Sequence, residues 1–516
     1  MTHHDFTAGR LFRGSIRTVL FLLVVGVLSG AAAEDISLED LSGQGPLAAA
    51  AAEYFAAFNA NDADALLAFV STYRDETSLK RTPPAVRVPR QQQFRGMLGE
   101  VSLRSIQASA DTLLELVVFA ETPGGHFLFT FETSALVPLK ISSMGIQPTG
   151  APESAAAGPD PLALAGTLEA LVEAARLKYD MPAISVAVGE RGTDVQVAVS
   201  GVRNLETGDP VQPDGAFHIG SLTKSMTAAV AARLVSRGEM AWDETLGARL
   251  VTLAMDPGYR DVTLTLLLQH RASVDPLLNV SGLQEMVWRA ASPEPTGQRL
   301  ALLKSVLDEA PATAPGTGFA YSNAGYIAAA AMMERATGES WEDLVAAEVF
   351  APLGLTTAGL GWPATTDAPD APRGHYYDQT GHRLQPYLGY SLSGALAPAG
   401  DVHCSMGDLA RYGLAHLNAL EGKSDWLSAK AATVLHSPPE GTGGPAYAMG
   451  WMIEETEAGP THIHAGSAGT FYAVICLLPE TGRVVVVAMN DGNMGNDAVA
   501  RQIIRQVERI RGEAQE

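Results

Sequence analysis

Cysteine is nearly absent from this sequence. Cys404 and Cys476 are the only two among 516 residues, and they lie far apart without the spacing of a disulfide framework, so we expect buried free thiols. Neither a Cys-x-x-Cys nor a His-Glu-x-x-His motif occurs. His462 and His464 could bind a metal from one strand, but no third ligand accompanies them, so the sequence predicts no metal site and no other cofactor.

Basic residues are also scarce. The chain has 35 Lys and Arg against 57 Asp and Glu, which gives a formal net charge of −22 at pH 7. An acidic surface of this kind repels phosphate backbones, so nucleic acid is not an expected partner. Charged residues make up 18% of the chain and hydrophobic residues 47%, a balance typical of a folded globular protein. A length of 516 residues predicts two domains plus processed segments.

A run of apolar residues near the N-terminus is too short to span a membrane. It covers Val19–Leu28, whereas a span needs roughly 20 residues. Three arginines precede it between residues 10 and 17, and the small residues Ser29–Ala33 follow it, which is the pattern of a cleaved signal peptide over residues 1–33. We therefore expect export to the periplasm or the extracellular space. An uncleaved anchor is the alternative, and membrane contact is expected only in that case.

Residues 45–148 are predicted to form a small α+β domain. Alanine-rich apolar patterns indicate helices, and period-two patterns then indicate strands. The predicted helices cover 45–60, 63–70 and 90–98, and the predicted strands cover 101–108, 112–120, 125–132 and 140–146. This order resembles the cystatin-like, nuclear-transport-factor-like cone fold, in which a curved sheet wraps helices. We expect a binding or spacing role for this domain.

A linker over residues 149–160, rich in Pro, Gly, Ala and Ser, separates this domain from a second one over 161–516. The second domain has strands near both ends and a helix-dominated middle over 217–440. Its predicted elements include a helix at 162–177, strands at 184–188, 195–199, 473–478 and 483–488, and a closing helix at 497–511. Strands at both ends predict one sheet assembled from distant segments.

The first candidate catalytic motif is Ser221-Leu222-Thr223-Lys224, at the start of a predicted helix that ends at Gly238. A spacing of three places Ser221 and Lys224 on one helix face. The helix N-terminus supplies positive potential and free N–H groups around the Ser oxygen. A desolvated Lys stabilises the alkoxide or, when neutral, takes its proton. An N-cap serine and a surface lysine are the alternative interpretation.

The second motif is Tyr321-Ser322-Asn323, which follows a turn and precedes an alanine-rich helix. Tyr321 is a candidate proton shuttle, and we expect the nearby Lys224 cation to lower its pKa. Asn323 would offer its side-chain amide to the substrate or to Lys224. A packed aromatic ring at Tyr321 and a helix N-cap at Asn323 are the alternative interpretation.

The third motif is His464-Ala465-Gly466-Ser467, on or beside a strand. Glycine in a strand lets another backbone approach closely. A substrate acyl group lying antiparallel to this edge would meet the Ser467 N–H, which would form an oxyanion hole with the Ser221 N–H. His464, Gly466 and Ser467 are therefore candidate substrate and oxyanion residues. A glycine-rich hairpin with a solvated histidine is the alternative.

The order Ser-x-x-Lys, Tyr-x-Asn and His-x-Gly resembles the serine β-lactamase and penicillin-binding protein superfamily. Its class C-like branch includes DD-carboxypeptidases, D-aminopeptidases and esterases. Further stretches resemble that branch, namely Phe350–Leu355, Pro398–Gly400, Asp408–Gly413 and Met449–Trp451. The resemblance covers about residues 160–510. It implies an α/β fold in which a helical lobe packs on an antiparallel sheet flanked by helices, with the active site between them.

The resemblance implies a serine hydrolase that cleaves an amide or ester bond of a small-molecule or peptide substrate through an acyl-enzyme. Ser221 is the expected nucleophile, and Tyr321 with Lys224 manages the proton. Dedicated β-lactamases of the superfamily usually carry Lys at the place held here by His464, whereas DD-peptidases and esterases often carry His, so we expect the latter activities. A true β-lactamase and a non-catalytic receptor for peptidoglycan fragments are the alternatives. The oligomeric state is not predicted.

One segment departs from the branch. Gln269–Ser273 stands where its members usually show a His-Thr-Ser-Gly turn. We expect a local loop change that lies away from the three motifs. The α/β-hydrolase alternative requires Gly-x-Ser-x-Gly, and the nearest approach, Gly389–Ser393, lacks the final Gly.

Overall fold

The structure is a computed structural model that describes most of the chain. The described residues are 36–75, 78–79, 84–110, 113–120, 125–136, 138–149, 160–277, 282–377, 383–388, 390–439, 446–456, 459–492 and 496–513. The predicted signal segment and residues 150–159 of the predicted linker lie outside them, so export and the linker stay predictions. Among the described residues, no helix is both long and apolar enough to cross a membrane.

In the N-terminal unit, helices precede a four-stranded antiparallel sheet, which is the predicted order. The helices are α1 (Leu38–Ser42), α2 (Pro46–Asn59), α3 (Ala63–Tyr73) and α4 (Pro84–Leu98), and the strands are β1 (Val101–Ala110), β2 (Leu113–Ala120), β3 (Gly125–Leu136) and β4 (Leu139–Thr149). The strands pair in the order β1-β2-β3-β4. Pro46 at the first position of α2 and the capping carboxylate of Asp62 before α3 explain where these helices begin.

Aromatic side chains fill the space between these helices and the sheet. Phe129 and Phe131 lie two residues apart on β3 and therefore share a face. The ring centroid of Phe129 lies 5.1 Å from that of Phe55, and the ring centroid of Phe131 lies 5.7 Å from that of Tyr54. All four side chains are buried. The core of this unit is therefore packed by rings from α2 and β3.

The second unit is larger and combines a sheet with many helices. Its helices are α5 (Pro161–Leu164), α6 (Leu168–Lys178), α7 (Thr223–Ser236), α8 (Leu246–Arg249), α9 (Leu264–Leu268), α10 (Gly282–Ala291), α11 (Pro295–Leu307), α12 (Asn323–Thr337), α13 (Trp341–Val345), α14 (Ala351–Leu353), α15 (Ala397–Gly400), α16 (Met406–Leu420), α17 (Ala429–His436) and α18 (Asn496–Glu513). Its strands are β5 (Ala183–Glu190), β6 (Gln196–Gly201), β7 (Phe217–His218), β8 (Gly359–Leu360), β9 (Tyr376–Tyr377), β10 (Arg383–Leu384), β11 (Val402–Cys404), β12 (Met452–Thr456), β13 (Gly459–Ser467), β14 (Tyr472–Leu478) and β15 (Arg483–Met489).

The main sheet has six antiparallel strands in the order β12-β13-β14-β15-β5-β6. Strands β5 and β6 come from the start of the unit and β12 to β15 from its end, so distant segments form one sheet as predicted. Successive side chains of β15 point to opposite faces of the sheet. Val485 packs in the same hydrophobic cluster as Ile503 of α18, and Val484 packs in the same cluster as Leu409 of α16. The sheet is flanked by helices on both faces, which confirms the predicted α/β fold class.

One predicted helix is two helices in the structure. The pattern at 162–177 predicts a single element, yet α5 ends at Leu164 and α6 begins at Leu168. The side chain of Thr167 accepts the Ala170 amide at 3.2 Å and caps α6. A capping threonine within an apolar pattern therefore restarts the helix instead of continuing it.

Both cysteines are buried and free, which confirms the expectation for them. Cys404 lies in β11 and Cys476 in β14, in different sheets. Burial raises the pKa of the Cys476 thiol to about 12. The thiol therefore stays protonated at neutral pH and behaves as a small apolar side chain.

Three histidines form a hydrogen-bonded chain between α16, α17 and β13. His436 Nε2 lies 2.9 Å from His416 Nδ1, and His436 Nδ1 lies 2.8 Å from His462 Nδ1. The ring of Trp451 packs against His436 with centroids 4.8 Å apart. Burial lowers the pKa of His416 to about 3 and that of His462 to about 4, and it lowers the pKa of His436 as well. The chain is therefore neutral at pH 7.

We expect the free energy of unfolding to fall as the pH drops from about 6.5 toward 4. The unfolded chain then binds protons that the folded histidine chain does not, so stabilisation that is complete above pH 6.5 is lost on acidification. Each such histidine contributes a slope of about 1.4 kcal/mol per pH unit in this window. Urea unfolding across this range measures the slope, and His462→Gln should reduce it. A slope in His462→Gln equal to that of the wild type would contradict the assignment.

Candidate active site

Ser221, Lys224 and Tyr321 come together in the structure. Lys224 Nζ lies 3.0 Å from Ser221 Oγ, and the Tyr321 hydroxyl donates to the same oxygen at 2.9 Å. Ser221 and Lys224 are three residues apart, whereas Tyr321 follows Ser221 by 100 residues and lies in the loop before α12. The Ser221 hydroxyl therefore has two polar partners, an amine and a phenol.

The local turn at Ser221 is tighter than an α-helix. Ser221 lies in a 3₁₀ turn over Gly220–Leu222, and α7 itself begins at Thr223. The Leu222 amide donates to the Ile219 carbonyl at 3.2 Å and closes this turn. The sequence predicts the α-helix to start at Ser221, so its start is corrected by two residues.

Ser467 and His218 constrain Gly220, the residue before the candidate nucleophile. Gly220 has a φ of +52°, and a Cβ at this position would lie 2.6 Å from Ser467 N, so only glycine fits. The Gly220 amide donates to His218 Nδ1 at 3.1 Å, and His218 Nε2 lies 3.2 Å from an Asp401 carboxylate oxygen. Because Nδ1 accepts a hydrogen bond, the ring hydrogen is on Nε2 and faces Asp401. This arrangement orients the backbone that carries Ser221.

Lys224 is completely buried. Its Nζ donates to the Ala399 carbonyl at 2.6 Å and lies 4.9 Å from the ring centroid of Tyr321 and 5.8 Å from that of Tyr326. Burial lowers the pKa of Lys224 well below its usual value. A buried amine with a lowered pKa has a neutral form that can accept a proton.

The pKa of Tyr321 moves in the direction opposite to the expectation. The sequence predicts that the Lys224 cation lowers it, but burial of the phenol raises it to about 12. The hydrogen bond to Ser221 opposes this shift and is the smaller effect. The physical reason is that burial disfavours both charged forms, the tyrosinate and the ammonium. Tyr321 is therefore a neutral donor to Ser221 in the resting site.

Asn323 is the first residue of α12, and Ser322 is the N-cap, because the Ser322 hydroxyl accepts the Gly325 amide at 3.0 Å. The Asn323 side-chain amide donates to the Leu277 carbonyl at 3.0 Å. It does not bond to Lys224, so that part of the expectation is wrong. The N-cap interpretation of Asn323 is wrong as well, since the preceding serine takes that position.

The Ser467 amide faces away from β14. The Ala468 amide donates to the Phe471 carbonyl at 3.3 Å, and hydrogen-bonded pairs alternate along an antiparallel ladder, so the Ser467 N–H points to the opposite side. On that side, the pairing of β13 with β12 ends where Ile463 faces Met452. Within the described strands, the Ser467 edge is therefore not covered by β12.

The end of β13 packs directly on the Ser221 turn. A Cβ at Gly466 would clash with the Ile219 carbonyl and lie 2.7 Å from Ser221 N, so glycine is required for this approach. Ser467 N is also close to Gly220. The amides of Ser221 and Ser467, which are predicted to form an oxyanion hole, therefore both lie where β13 packs on the 3₁₀ turn.

His464 is buried beside Tyr447. Its Nε2 lies 3.3 Å from the Tyr447 hydroxyl. Burial, assisted by the Lys224 charge, lowers the pKa of His464 to about 3. His464 is therefore neutral across the physiological pH range, and the alternative of a solvated histidine is wrong. His462, the other histidine of the pair considered for metal binding, bonds to His436 instead.

The Gln269–Ser273 segment does not lie away from the motifs, so that expectation is wrong. The His270 ring centroid lies 4.2 Å from that of Tyr321 and 4.6 Å from that of Tyr447. The side chain of His270 is buried. The long separation between His270 and Tyr321 in the chain concealed this contact from the sequence pattern.

The part of the chain from residue 165 to residue 509 matches the family model described as Beta-lactamase. This match covers more than half of the sequence and contains Ser221, Lys224, Tyr321 and His464. The chain belongs to the β-lactamase family. It is a serine hydrolase of that family, as the sequence predicts.

Two relatives resemble the chain over different lengths. Penicillin-binding protein 4 of Amycolatopsis lactamdurans is 25% identical over 337 residues, which span 62% of this chain and 84% of that protein. Esterase EstB of Burkholderia gladioli is 29% identical over 215 residues, which span 39% of this chain and 53% of the esterase. The chain thus matches most of the first relative but about half of the second.

A solved structure shares the fold. The octameric penicillin-binding protein homologue from Pyrococcus abyssi superimposes with a TM-score of 0.54 at 24% sequence identity. The superposition covers 65% of this chain and 75% of that chain. At this identity the likeness concerns the β-lactamase-family fold alone.

Several residues of this β-lactamase-family site are absent from the sequence-based prediction. They are His218, His270, Asp401, Tyr447 and the Ala399 carbonyl. The family-like stretches around residues 398–400 and 449–451 indicate the neighbourhoods of Ala399 and Tyr447 without assigning them a contact. No local signal identifies Asp401 as a partner of His218, or Tyr321 and Ser322 as partners of His270, because these partners lie far away in the chain.

Proposed function

We propose that this chain hydrolyses esters and amides through an acyl-enzyme on Ser221, with uncharged esters as better substrates than β-lactams. The pair of contacts at Ser221 Oγ carries the proposal, with Lys224 Nζ at 3.0 Å and the Tyr321 hydroxyl at 2.9 Å. Both distances are within the reach required of groups that exchange a proton with a nucleophile.

Neutral Lys224 is the base in this proposal. Ser221 Oγ forms the bond to the substrate carbonyl carbon, and its proton passes to Lys224 Nζ. When the bond to the leaving group breaks, the leaving oxygen or nitrogen takes a proton from the Tyr321 hydroxyl, which Lys224 reprotonates. Water then attacks the acyl carbon and gives a proton to Lys224. The bond between the acyl carbon and Ser221 Oγ breaks, and Oγ takes a proton from the Tyr321 hydroxyl, which Lys224 reprotonates. The raised pKa of Tyr321 and the lowered pKa of Lys224 support this assignment of acid and base.

The backbone amides of Ser221 and Ser467 are the proposed oxyanion donors. Both lie where β13 meets the 3₁₀ turn, and the Ser467 N–H faces away from the strand ladder. Fixed amides at this position would stabilise the negative charge that develops on the substrate oxygen. Because the donors are backbone groups, the side chain of Ser467 is not required for this role.

The substrate preference rests on His464. Its ring is buried and carries no charge at neutral pH, since its pKa is about 3. Penicillins and cephalosporins carry a carboxylate next to the reactive ring, and a neutral imidazole supplies little of the charge that anchors such a group. An uncharged ester needs no anchor of this kind. We therefore expect β-lactams to acylate Ser221 more slowly than simple esters do.

A comparison of two chromogenic substrates tests the proposal. We expect kcat/KM for a p-nitrophenyl ester to exceed that for a cephalosporin by at least about 100-fold. This is the factor in kcat/KM expected from the loss of one charged contact to the substrate. A fluorescent phosphonate should label the protein, and mass spectrometry should locate the label on Ser221. A cephalosporin value near 10⁶–10⁷ M⁻¹s⁻¹, roughly the upper part of the enzyme range, would make the chain a β-lactamase instead. Absence of both labelling and turnover would favour the receptor alternative.

A further inference from the structure

His270 contacts Tyr321 and both of its chain neighbours. The Ala320 amide donates to the His270 carbonyl at 2.7 Å, and the Ser322 amide donates to His270 Nδ1 at 3.1 Å. The imidazole ring lies against the Tyr321 ring, with centroids 4.2 Å apart and planes 38° from parallel. The backbone on each side of Tyr321 and its ring are therefore all in contact with one residue.

The backbone of His270 is itself held in an uncommon conformation. Its φ is +56°, in the left-handed region that residues other than glycine rarely adopt. The Gly316 amide donates to the carbonyl of the next residue, Arg271, at 2.8 Å. These contacts tie the loop at His270 to the loop that delivers Tyr321. A strained residue kept at such a junction suggests a role that a relaxed turn would not fulfil.

The ring of His270 must be neutral to make the contact with Ser322, because Nδ1 accepts the amide hydrogen. The groups that face it are the rings of Tyr326 and Tyr447 and the charged or titratable Lys224 and His464. Burial and then the Lys224 charge lower the pKa of His270 well below its usual value. A proton on Nδ1 would remove the acceptor and place a positive charge near the Lys224 amine.

We propose that His270 is a positioning residue that holds the Tyr321 hydroxyl in place at Ser221. The proposal rests on the proposed function, since it requires Tyr321 to act in the proton path. A displaced phenol loses proton transfer while the substrate still binds, and misplacement by about 1 Å costs up to about 100-fold in rate. We therefore expect the loss of the His270 contacts to lower kcat and to change KM little.

The test uses the full chain and two substitutions with opposite chemistry. His270→Phe keeps a ring but removes the acceptor, and we expect it to lower kcat by about 10- to 100-fold. His270→Asn keeps an acceptor at the position of Nδ1 and tolerates a positive φ, so it should recover most of this loss. Each variant is made in the wild type and in Tyr321→Phe, where His270→Phe should have no further effect.

The outcomes distinguish a failure of the positioning role of His270 from a failure of the proposed function. An equal loss from His270→Phe with and without the Tyr321 hydroxyl would overturn the positioning role, as would a loss in His270→Asn as large as in His270→Phe. If His270→Phe does not fold, His270→Gln replaces it, because its amide oxygen does not reach the position of Nδ1, and equal kcat for Asn and Gln would overturn the role. Failure of the proposed function is distinct, since the wild type itself would then show no Ser221 labelling.

Discussion

Replacing Ser221 with alanine is expected to abolish covalent labelling by a phosphonate and to lower ester hydrolysis by at least about 10⁴-fold. The reason is that the substitution removes the atom that forms the acyl bond in the proposed mechanism, while the 3₁₀ turn depends on Gly220 and on the Leu222 amide rather than on the hydroxyl. The variant should therefore fold as the wild type does. Turnover of a p-nitrophenyl ester and a labelling gel measure the two effects.

A matched control lies on the same stretch of chain. Ser236 is exposed at the end of α7, and Ser236→Ala removes a hydroxyl without touching the site, so it should keep full activity. Labelling that persists in Ser221→Ala and maps to another serine would show that the nucleophile has been misassigned.

Loss of either proton-carrying group is expected to slow turnover by at least about 100-fold, the contribution of a general acid or base. Tyr321→Phe removes the phenol oxygen 2.9 Å from Ser221 Oγ, and Lys224→Met removes the amine and keeps most of the buried volume. Because the two groups form one proton path in the proposed mechanism, the double variant should lose far less than the product of the single losses. Steady-state kcat of the four proteins completes this cycle.

The leaving group provides an independent check on Tyr321. An activated aryl ester departs without protonation, whereas an alkyl ester or amide needs a proton from the acid. Tyr321→Phe should therefore cost more on the alkyl ester than on the aryl ester, and Lys224→Met should cost a similar factor on both. Additive losses in the cycle, together with no dependence on the leaving group, would mean that Tyr321 does not supply that proton.

Local patterns predicted most of the fold because the determinants of a helix or strand lie close together in the chain. Short strand patterns predicted β15 and β5, and helical patterns predicted α2 and α18. Errors arose where a capping group interrupts a periodic pattern. Thr167 divides one predicted helix into two, and Ser322 takes the N-cap position that the alternative interpretation gave to Asn323.

The candidate site was predictable to the extent that it consists of short motifs. Ser221 and Lys224 approach each other because residues three apart lie on one face of a helical turn. Gly466 lies at a close backbone approach, as a glycine in a strand suggests. The contact of Tyr321 with this pair was inferred from the order of the motifs rather than from any local rule.

The sequence by itself predicted the candidate catalytic residues, because each of the three motifs is a short local feature of the chain and their order resembles that of a known family. Only the tertiary structure decided how those residues are charged and held. The pKa of Tyr321 rises because folding buries the phenol, Lys224 bonds to the Ala399 carbonyl 175 residues away, and the Ser322 amide bonds to His270 across 52 residues. Burial and contacts of this range depend on the packing of whole elements, and no short stretch of sequence encodes them.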